Sequence, residues 1–257
     1  MIAMETLLQG YPKHLHGFRR GILTEYLQCL ILSYIFPLKQ KMKLRFIGGT
    51  AIRLCWESER FSEDLDFDGE GVGKAAFETL GGSVVKKLKL EGLEAECDFS
   101  FKGAYRCFFR FPGIYFSYGL SAHEDEKLLI QLDYEPQGFK YKAQEKVINR
   151  FGAFCSVPVP PPEVLLSMKI AALLGRRRAK GRDFYDVTYL AMVAKPDFDF
   201  LKEKTGIRNM EELKKVLLQK TASLDMKNMA ADVSPFLFHE HDRARVLNFR
   251  AFTEQWK

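Results

Sequence analysis

Leu23, Leu27, Leu30, Ile31 and Tyr34 recur at the spacing of one helix face, so residues 1–40 are predicted to be largely helical, with that face on a core. The pattern then shortens. Residues 44–47 read as a strand, Gly48-Gly49 as a turn, and residues 50–56 as a short helix capped by Thr50. The stretch SEDLDFD, residues 62–68, reads as a second strand. Side chains alternate along a strand. Leu65 and Phe67 are therefore expected in the core, with Asp64, Asp66 and Asp68 on the opposite face. A helix over residues 73–90, weakened by Gly81-Gly82, precedes further strands over residues 94–101, 104–111, 114–119 and 127–134.

The clearest break is VPVPPP, residues 157–162. Proline stiffens the backbone and withholds a donor from strand pairing. A domain boundary is placed there, giving a first domain of residues 1–157 and a second of residues 158–257. A helix is expected from Glu163, with Val164, Leu165, Met168, Ala171 and Ala172 as its apolar stripe and Lys169 at the margin. Arg176, Arg177, Arg178, Lys180 and Arg182 follow, flanked by Gly175 and Gly181, and read as an exposed loop. RDFYD opens another helix, on which Asp183 and Asp186 share a face while Phe184, Val187 and Leu190 turn to the core. Residues 196–257 continue as amphipathic helices anchored by Phe198, Phe200, Phe236 and Phe238. The fold class is α/β: a mixed sheet flanked by helices, then a helical C-terminal domain.

Composition narrows the setting. Lysine and arginine exceed the acids by 39 to 33 over 257 residues, a net charge of +6 that admits a nucleic-acid partner without demanding one. The cysteines, at 29, 55, 97, 107 and 155, form no C-x-x-C and are odd in number, which points to a reduced, cytoplasmic compartment. The apolar run from Tyr26 to Phe36 is too short to span a bilayer and ends at Pro37. No signal-peptide order opens the chain, and no membrane association is expected.

The chemistry concentrates around the double glycine. Asp64 and Asp66, at i and i+2 on one strand face, lie close enough to share a divalent cation. Mg²⁺ is a hard ion that takes oxygen ligands and completes its shell with water and phosphate. Gly48-Gly49 offers backbone N–H groups at a helix start, which suits an anion. Either feature alone is commonly an ordinary acid pair or an ordinary turn, but together they suggest a nucleoside triphosphate with its metal. Asp133, sharing a strand face with Gln131, is either a third carboxylate of the site or a residue that faces solvent or caps the turn at Glu135-Pro136. The basic run is either a solvated face or an electrostatic contact with RNA. Phe108, Phe109, Phe111, Tyr115, Phe116 and Tyr118 are accounted for by strand propensity, with a base-stacking platform as the alternative. His14, His16, His239 and His241 read as surface residues.

GGTAIRL followed by RFSEDLDF resembles the nucleotidyltransferase-like toxins of the AbiEii/AbiGii group, relatives of the polymerase-beta-type nucleotidyltransferases. Gly48, Gly49, Thr50, Arg53, Leu54, Arg60, Ser62, Asp64, Asp66 and Phe67 carry the resemblance, and KIAALLGRRRAKGRDFYDVTYL, from Lys169, is similar to the family's later motifs. The resemblance implies a nucleotidyltransferase-like sheet with the helical domain completing a nucleotide cleft. It implies Mg²⁺ on Asp64 and Asp66, and a triphosphate held by Gly48, Gly49, Thr50, Arg53, Ser62 and Lys169. Asp133 would bind a second metal or take the proton of an attacking hydroxyl, and Asp183 or Asp186 would orient the lysine or the metal-bound nucleotide. The implied activity is transfer of a nucleoside monophosphate from an NTP to a hydroxyl on tRNA or protein. The implied setting is the toxin of a bacterial toxin–antitoxin or phage-defence pair with a cognate antitoxin. Two other classes stay open: a phosphotransferase moving the γ-phosphoryl group at the same site, and a non-catalytic nucleotide- or RNA-binding protein relying on Arg176, Arg177, Arg178 and Lys180.

Overall fold

The computed structural model describes residues 2–37 and 43–257, so residues 1 and 38–40 of the predicted N-terminal helical stretch lie outside the described part. Helices α1 (Met4–Gln9) and α2 (Arg19–Ile35) open the chain. Along α2, Leu23, Leu27 and Ile31 are buried as the spacing predicts, while Leu30 and Tyr34 are half-buried. Next come β1 (Lys43–Ile47), α3 (Gly48–Trp56), β2 (Leu65–Glu70), α4 (Lys74–Leu90), β3 (Glu96–Ser100) and β4 (Tyr105–Pro112). A short helix α5 (Ile114–Ser117) precedes β5 (Lys127–Tyr134).

These strands form one mixed five-stranded sheet in the order β1-β2-β5-β4-β3, in which β2 and β5 run parallel and the other neighbours antiparallel. Alternation decides its faces. Phe46, Leu65, Phe67, Phe109, Ile130 and Leu132 are buried on one side, and α4 packs on the β3–β4 end of that side. Two strand predictions fail. Residues 114–119 are aromatic enough for a strand, but Gly113 at φ +66 turns the chain into α5. VPVPPP does not stop pairing at its start. A second, two-stranded sheet joins β6 (Gln144–Arg150) to β7 (Ala153–Val159), with Pro158 in register with Glu145. Phe151 and Gly152 close the hairpin at φ 54 and 77, the double left-handed turn that suits twisted strands.

The chain divides into two compact units. The first is Met1–Glu57, Phe61–Gly138 and Ala143–Val159. The second takes Ser58–Arg60, Phe139–Lys142 and Pro160–Lys257. In the second unit, α6 (Pro162–Gly175) and α7 (Gly181–Leu190) lead into α8 (Phe198–Thr205), α9 (Met210–Thr221), α10 (Met226–Val233), α11 (Arg243–Leu247) and α12 (Phe249–Gln255). Proline opens α6, where its missing N–H costs nothing. The segment carrying Arg60 belongs here because Arg60 bridges Leu237 and Phe238 donates its backbone N–H to Glu59. Phe200 is a buried anchor, whereas Phe198, Phe236 and Phe238 are half-buried and Leu237 fills that corner.

Gly81 and Gly82 test how helix propensity and packing compete within α4. A Cβ on Gly81 would lie 2.7 Å from the Phe99 ring, whereas one on Gly82 meets nothing within 4 Å. Gly81→Ala is expected to destabilise by about 1–3 kcal/mol through overpacking, and Gly82→Ala to stabilise by about 0.5–1 kcal/mol through helix propensity. Urea denaturation of both variants measures the contrast; equal shifts of one sign would show that packing against Phe99 does not govern the site.

Candidate active site

β1 ends at Ile47, which pairs with Asp66 on β2. The chain then enters α3 with no intervening turn: Gly48 sits at φ +82, and no side chain caps the helix. A Cβ on Gly48 would overlap Asp66 Oδ2 and fall 2.7 Å from its Cγ. The helix start is thus pressed against the carboxylate, and only glycine fits. This corrects the reading of Gly48-Gly49 as a turn before a Thr50 cap. The glycines are the first helical residues, and Thr50 is buried in the first turn, where its hydroxyl donates to the backbone oxygen of Asp64. Asp64 is also corrected in place. It precedes β2, which begins at Leu65, and is held beside α3 by that bond rather than by strand pairing.

On the other side of β2, Asp66 is in register with Asp133 of the parallel strand β5, so the two side chains share one face. Asp133 Oδ1 accepts a 2.8 Å hydrogen bond from Gln131 Nε2, and Arg106 Nε lies 3.6 Å away. Burial raises the Asp133 pKa above the ordinary carboxylate value; Gln131 and Arg106 oppose the rise, while the charges of Asp64 and Glu135 add to it. Asp68, third in the alternating series, is spent structurally: its Oδ1 accepts from the backbone N–H groups of Gly69 and Gln137 at 2.7 and 2.8 Å. Among the described residues no group of three or more His, Cys, Asp or Glu is arranged to hold a metal ion. Asp66, against the Cβ-free start of α3, and Asp64, two residues before it, are hard carboxylate donors. Such donors would suit Mg²⁺ sharing its shell with phosphate and water, and would not make a cage of protein alone.

The remaining phosphate-side candidates are more tightly bound. Arg53 is 7% exposed, and its Nε lies 2.7 Å from Glu25 Oε2, which ties α3 to α2. Tyr11 donates to the same glutamate and Arg150 pairs with it, each at 2.7 Å. Ser62 is half-buried, with its backbone oxygen accepting from Gln28 Nε2 at 3.0 Å.

In the helical unit, Asp186 is fully buried. Arg60 grips it in a two-point pair, with both nitrogen–oxygen distances 2.7 Å, and Lys169 Nζ lies 2.8 Å from Oδ2. Asp186 is thus the acid that holds Lys169, while Asp183, also buried, holds Arg176 at 2.7 Å. The basic run is a braced segment. Lys220 Nζ donates to the backbone oxygens of Leu174 and Arg176 at 3.0 and 2.8 Å, and Gly181 donates its N–H to Asp232 at 2.8 Å. Arg177 and Arg178 are exposed and Lys180 is half-buried.

A family model for the nucleotidyl transferase AbiEii toxin of type IV toxin–antitoxin systems matches residues 31–253. The chain belongs to the AbiEii nucleotidyltransferase toxin family. It is, by that membership, a nucleotidyltransferase of toxin–antitoxin type. Its fold is similar to that of MenT4, a nucleotidyltransferase toxin of Mycobacterium tuberculosis, with a TM-score of 0.59 at 15% identity over 100% of this chain and 91% of that one. It is also similar to JHP933 of Helicobacter pylori, with a TM-score of 0.54 at 17% identity over 91% and 90% of the two chains. No curated protein sequence matches.

For this AbiEii-family chain, sequence reasoning gave no site role to Arg60 and none to Arg106. Arg60 stood in the RFSEDLDF motif, so the signal was present, but its partner lies 126 residues away. Arg106 becomes relevant only through its register with Asp133.

The buried Asp186 pair makes a stability prediction. Burial alone would push the Asp186 carboxyl up, yet Arg60 and Lys169 outweigh it and hold the pKa at about 2, against an ordinary 3.8. A lowered carboxyl contributes its stability above the unfolded pKa and loses it as pH falls through the folded one. That contribution, roughly 2 kcal/mol, is expected to be complete above about pH 5 and to disappear between about pH 4 and 2. Urea midpoints of wild type and Asp186→Asn should therefore converge on acidification, and a gap that stays constant to pH 2 would contradict the assignment. Asp186→Ala, which strands Arg60, should cost about 3–5 kcal/mol at neutral pH.

Proposed function

We propose that the chain moves a nucleoside monophosphate from an NTP to a hydroxyl of an RNA acceptor, with tRNA as the first candidate, and that Mg²⁺ on Asp64 and Asp66 accompanies the triphosphate. The observation that carries this reading is the contact-distance packing of Gly48 on Asp66, with Asp133 in register beside it. An exposed acid pair needs no such cradle. Here the start of α3, which no side chain caps, lies against the Asp66 carboxylate, so an anion site and a cation site would adjoin.

In the proposed reaction, the acceptor hydroxyl attacks the α-phosphorus and pyrophosphate leaves. Asp133 suits the role of proton acceptor, since burial and the Asp64 charge raise its affinity for a proton. The Gly48, Gly49 and Thr50 backbone would bind phosphate oxygens, with Ser62 at the margin. Arg53 would act through Glu25 by fixing α3. Bound Mg²⁺ would polarise the phosphate and stabilise charge on the leaving group. Lys169 would contribute cationic charge toward a phosphate, with Asp186 setting its position. Asp183 would position Arg176, leaving Arg177, Arg178 and Lys180 as the candidate RNA contacts of the loop. A cytoplasmic toxin with a cognate antitoxin, in a toxin–antitoxin or phage-defence pair, completes the proposal. The cysteines are all free, and among the described residues no helix is long and apolar enough to cross a membrane.

The test is incubation of the purified chain with Mg²⁺, each α-³²P-labelled NTP and total tRNA, read on a denaturing gel. Label on RNA from an NTP, lost in Asp64→Ala and Asp66→Ala with the fold intact by circular dichroism, is expected. Turnover retained in Asp66→Ala would sink the metal assignment. Label only from γ-³²P nucleotide would make the chain a phosphotransferase. Gly48→Ala should slow transfer on the order of a hundredfold, because the added Cβ forces the start of α3 and the Asp66 carboxylate apart; single-turnover rates measure it, with circular dichroism and a melting temperature separating this local displacement from loss of the fold.

A further inference from the structure

The five-stranded sheet has two unlike faces. One is the apolar core. On the other, one row runs across the strands from Asp66 through Asp133 to Arg106, the next row pairs Gln131 with Phe108, and the third pairs Leu129 with Arg110. This second face is open. Leu129 is 50% exposed, and the Arg106 and Arg110 side chains are 37% and 32% exposed. Phe108 is half-buried, while its neighbours Phe109 and Phe111 are in the core.

β4 therefore presents arginine, phenylalanine, arginine at alternate positions on an open face that is continuous with the acids. Strand spacing and rise put Phe108 roughly 12 Å from Asp66, two strands across and two residues along. An aromatic ring flanked by guanidinium groups has the chemistry of a single-stranded nucleic-acid platform: the ring stacks on a base, and the cations meet adjoining phosphates. The cations are not idle in the free protein. Arg110 pairs with Asp98, Lys127 with Glu96 at 2.9 Å, and Arg106 approaches Asp133. Such part-exposed pairs are weak, so a phosphate can replace the carboxylate at little cost, and meanwhile the pairs hold the side chains on the face.

We infer that this open face is the track for the single-stranded end of the acceptor RNA, with a base on Phe108, phosphates at Arg106 and Arg110, and the terminal hydroxyl delivered to Asp66 and Asp133. The inference rests on the nucleotidyl-transfer reading and adds to it the surface that holds the acceptor. It assigns base contact to β4, a role that the basic loop of the helical unit does not supply.

The test uses the full chain and a 5′-fluorescein-labelled single-stranded RNA octamer with a free 3′ hydroxyl, followed by fluorescence anisotropy, with the tRNA labelling assay run alongside. Phe108→Ala is expected to weaken octamer binding about tenfold or more, and Phe108→Trp to retain it. Arg110→Gln should reduce the slope of log affinity against log salt by about 1. Melting temperatures of all three variants serve as the folding control. If Phe108→Ala binds the octamer within about twofold of wild type while Asp66→Ala still abolishes tRNA labelling, the track is wrong and nucleotidyl transfer stands. Label found on protein in place of RNA would also overturn the track without touching the transfer chemistry. Label from the γ-phosphate alone would overturn both.

Discussion

The absence of one methyl group organises the sheet unit. β1 and β2 are neighbours, and Ile47 pairs with Asp66, so the residue after Ile47 must leave the sheet beside that carboxylate. At Gly48 the clearance is zero: any Cβ would occupy the space of the Asp66 carboxyl. Two further features depend on that approach. Thr50 reaches the backbone of Asp64 only because α3 begins at once, and Asp64, which has no place in the ladder, is thereby held beside Asp66. Parallel pairing of β2 with β5 then sets Asp133 on the same face. The geometry is paid for locally, by a positive φ that glycine tolerates, and needs no strained side chain.

The helical unit solves a different problem. Burying one carboxylate with two cations is costly in desolvation, and such a pair is weak evidence for stability, since apolar residues could fill the volume as well. What the arrangement does provide is direction. Arg60 occupies Asp186 from one side with a planar, two-point grip, which leaves the carboxylate able to fix the half-buried ammonium of Lys169. A lysine stem is flexible and would otherwise sample many positions. The same logic applies to Arg176 on Asp183, at the head of the braced basic segment. Buried acids here act on cations, and the cations have the chemistry to meet phosphate.

How much of this was readable depends on the range of the cause. Strand β5 follows residues 127–134 because its alternation is strict, and Asp66 and Asp133 were legible as acids on polar faces of strands. The hairpin β6–β7 was not legible: along β6 only Ile148 is buried, so no period of two rises above the polar residues, and its turn is Phe151-Gly152 in place of an asparagine-glycine signal. Thr50 looked like a cap because its residue type is a strong capper, yet its hydroxyl answers to Asp64 instead. Gly81 looked like a weakness because propensity is local and the Phe99 ring is not. Arg53 stood among the motif residues, and nothing nearby in the chain announced Glu25 as its partner. Motif residue types carried the chemistry; long-range pairing assigned each residue its partner.

The two faces of the sheet bring these threads together. A sheet with mostly antiparallel neighbours can leave one face to water, provided that face does not invite association. Here the outer rows carry charge pairs, Arg110 with Asp98 and Lys127 with Glu96, which keep the face polar. Leu129 is nevertheless exposed on it, beside the half-buried Phe108, which a purely protective surface would have avoided. The row that ends at Asp133 and Asp66 sets two acids beside Arg106, and burial, with smaller contributions from the charges of Asp64 and Glu135, raises the affinity of Asp133 for a proton. A face graded from paired charges, through an aromatic ring, to an excess of carboxylate has a direction built into it. That direction runs toward Asp66, where Gly48 opens α3 against the carboxylate and no side chain caps the helix.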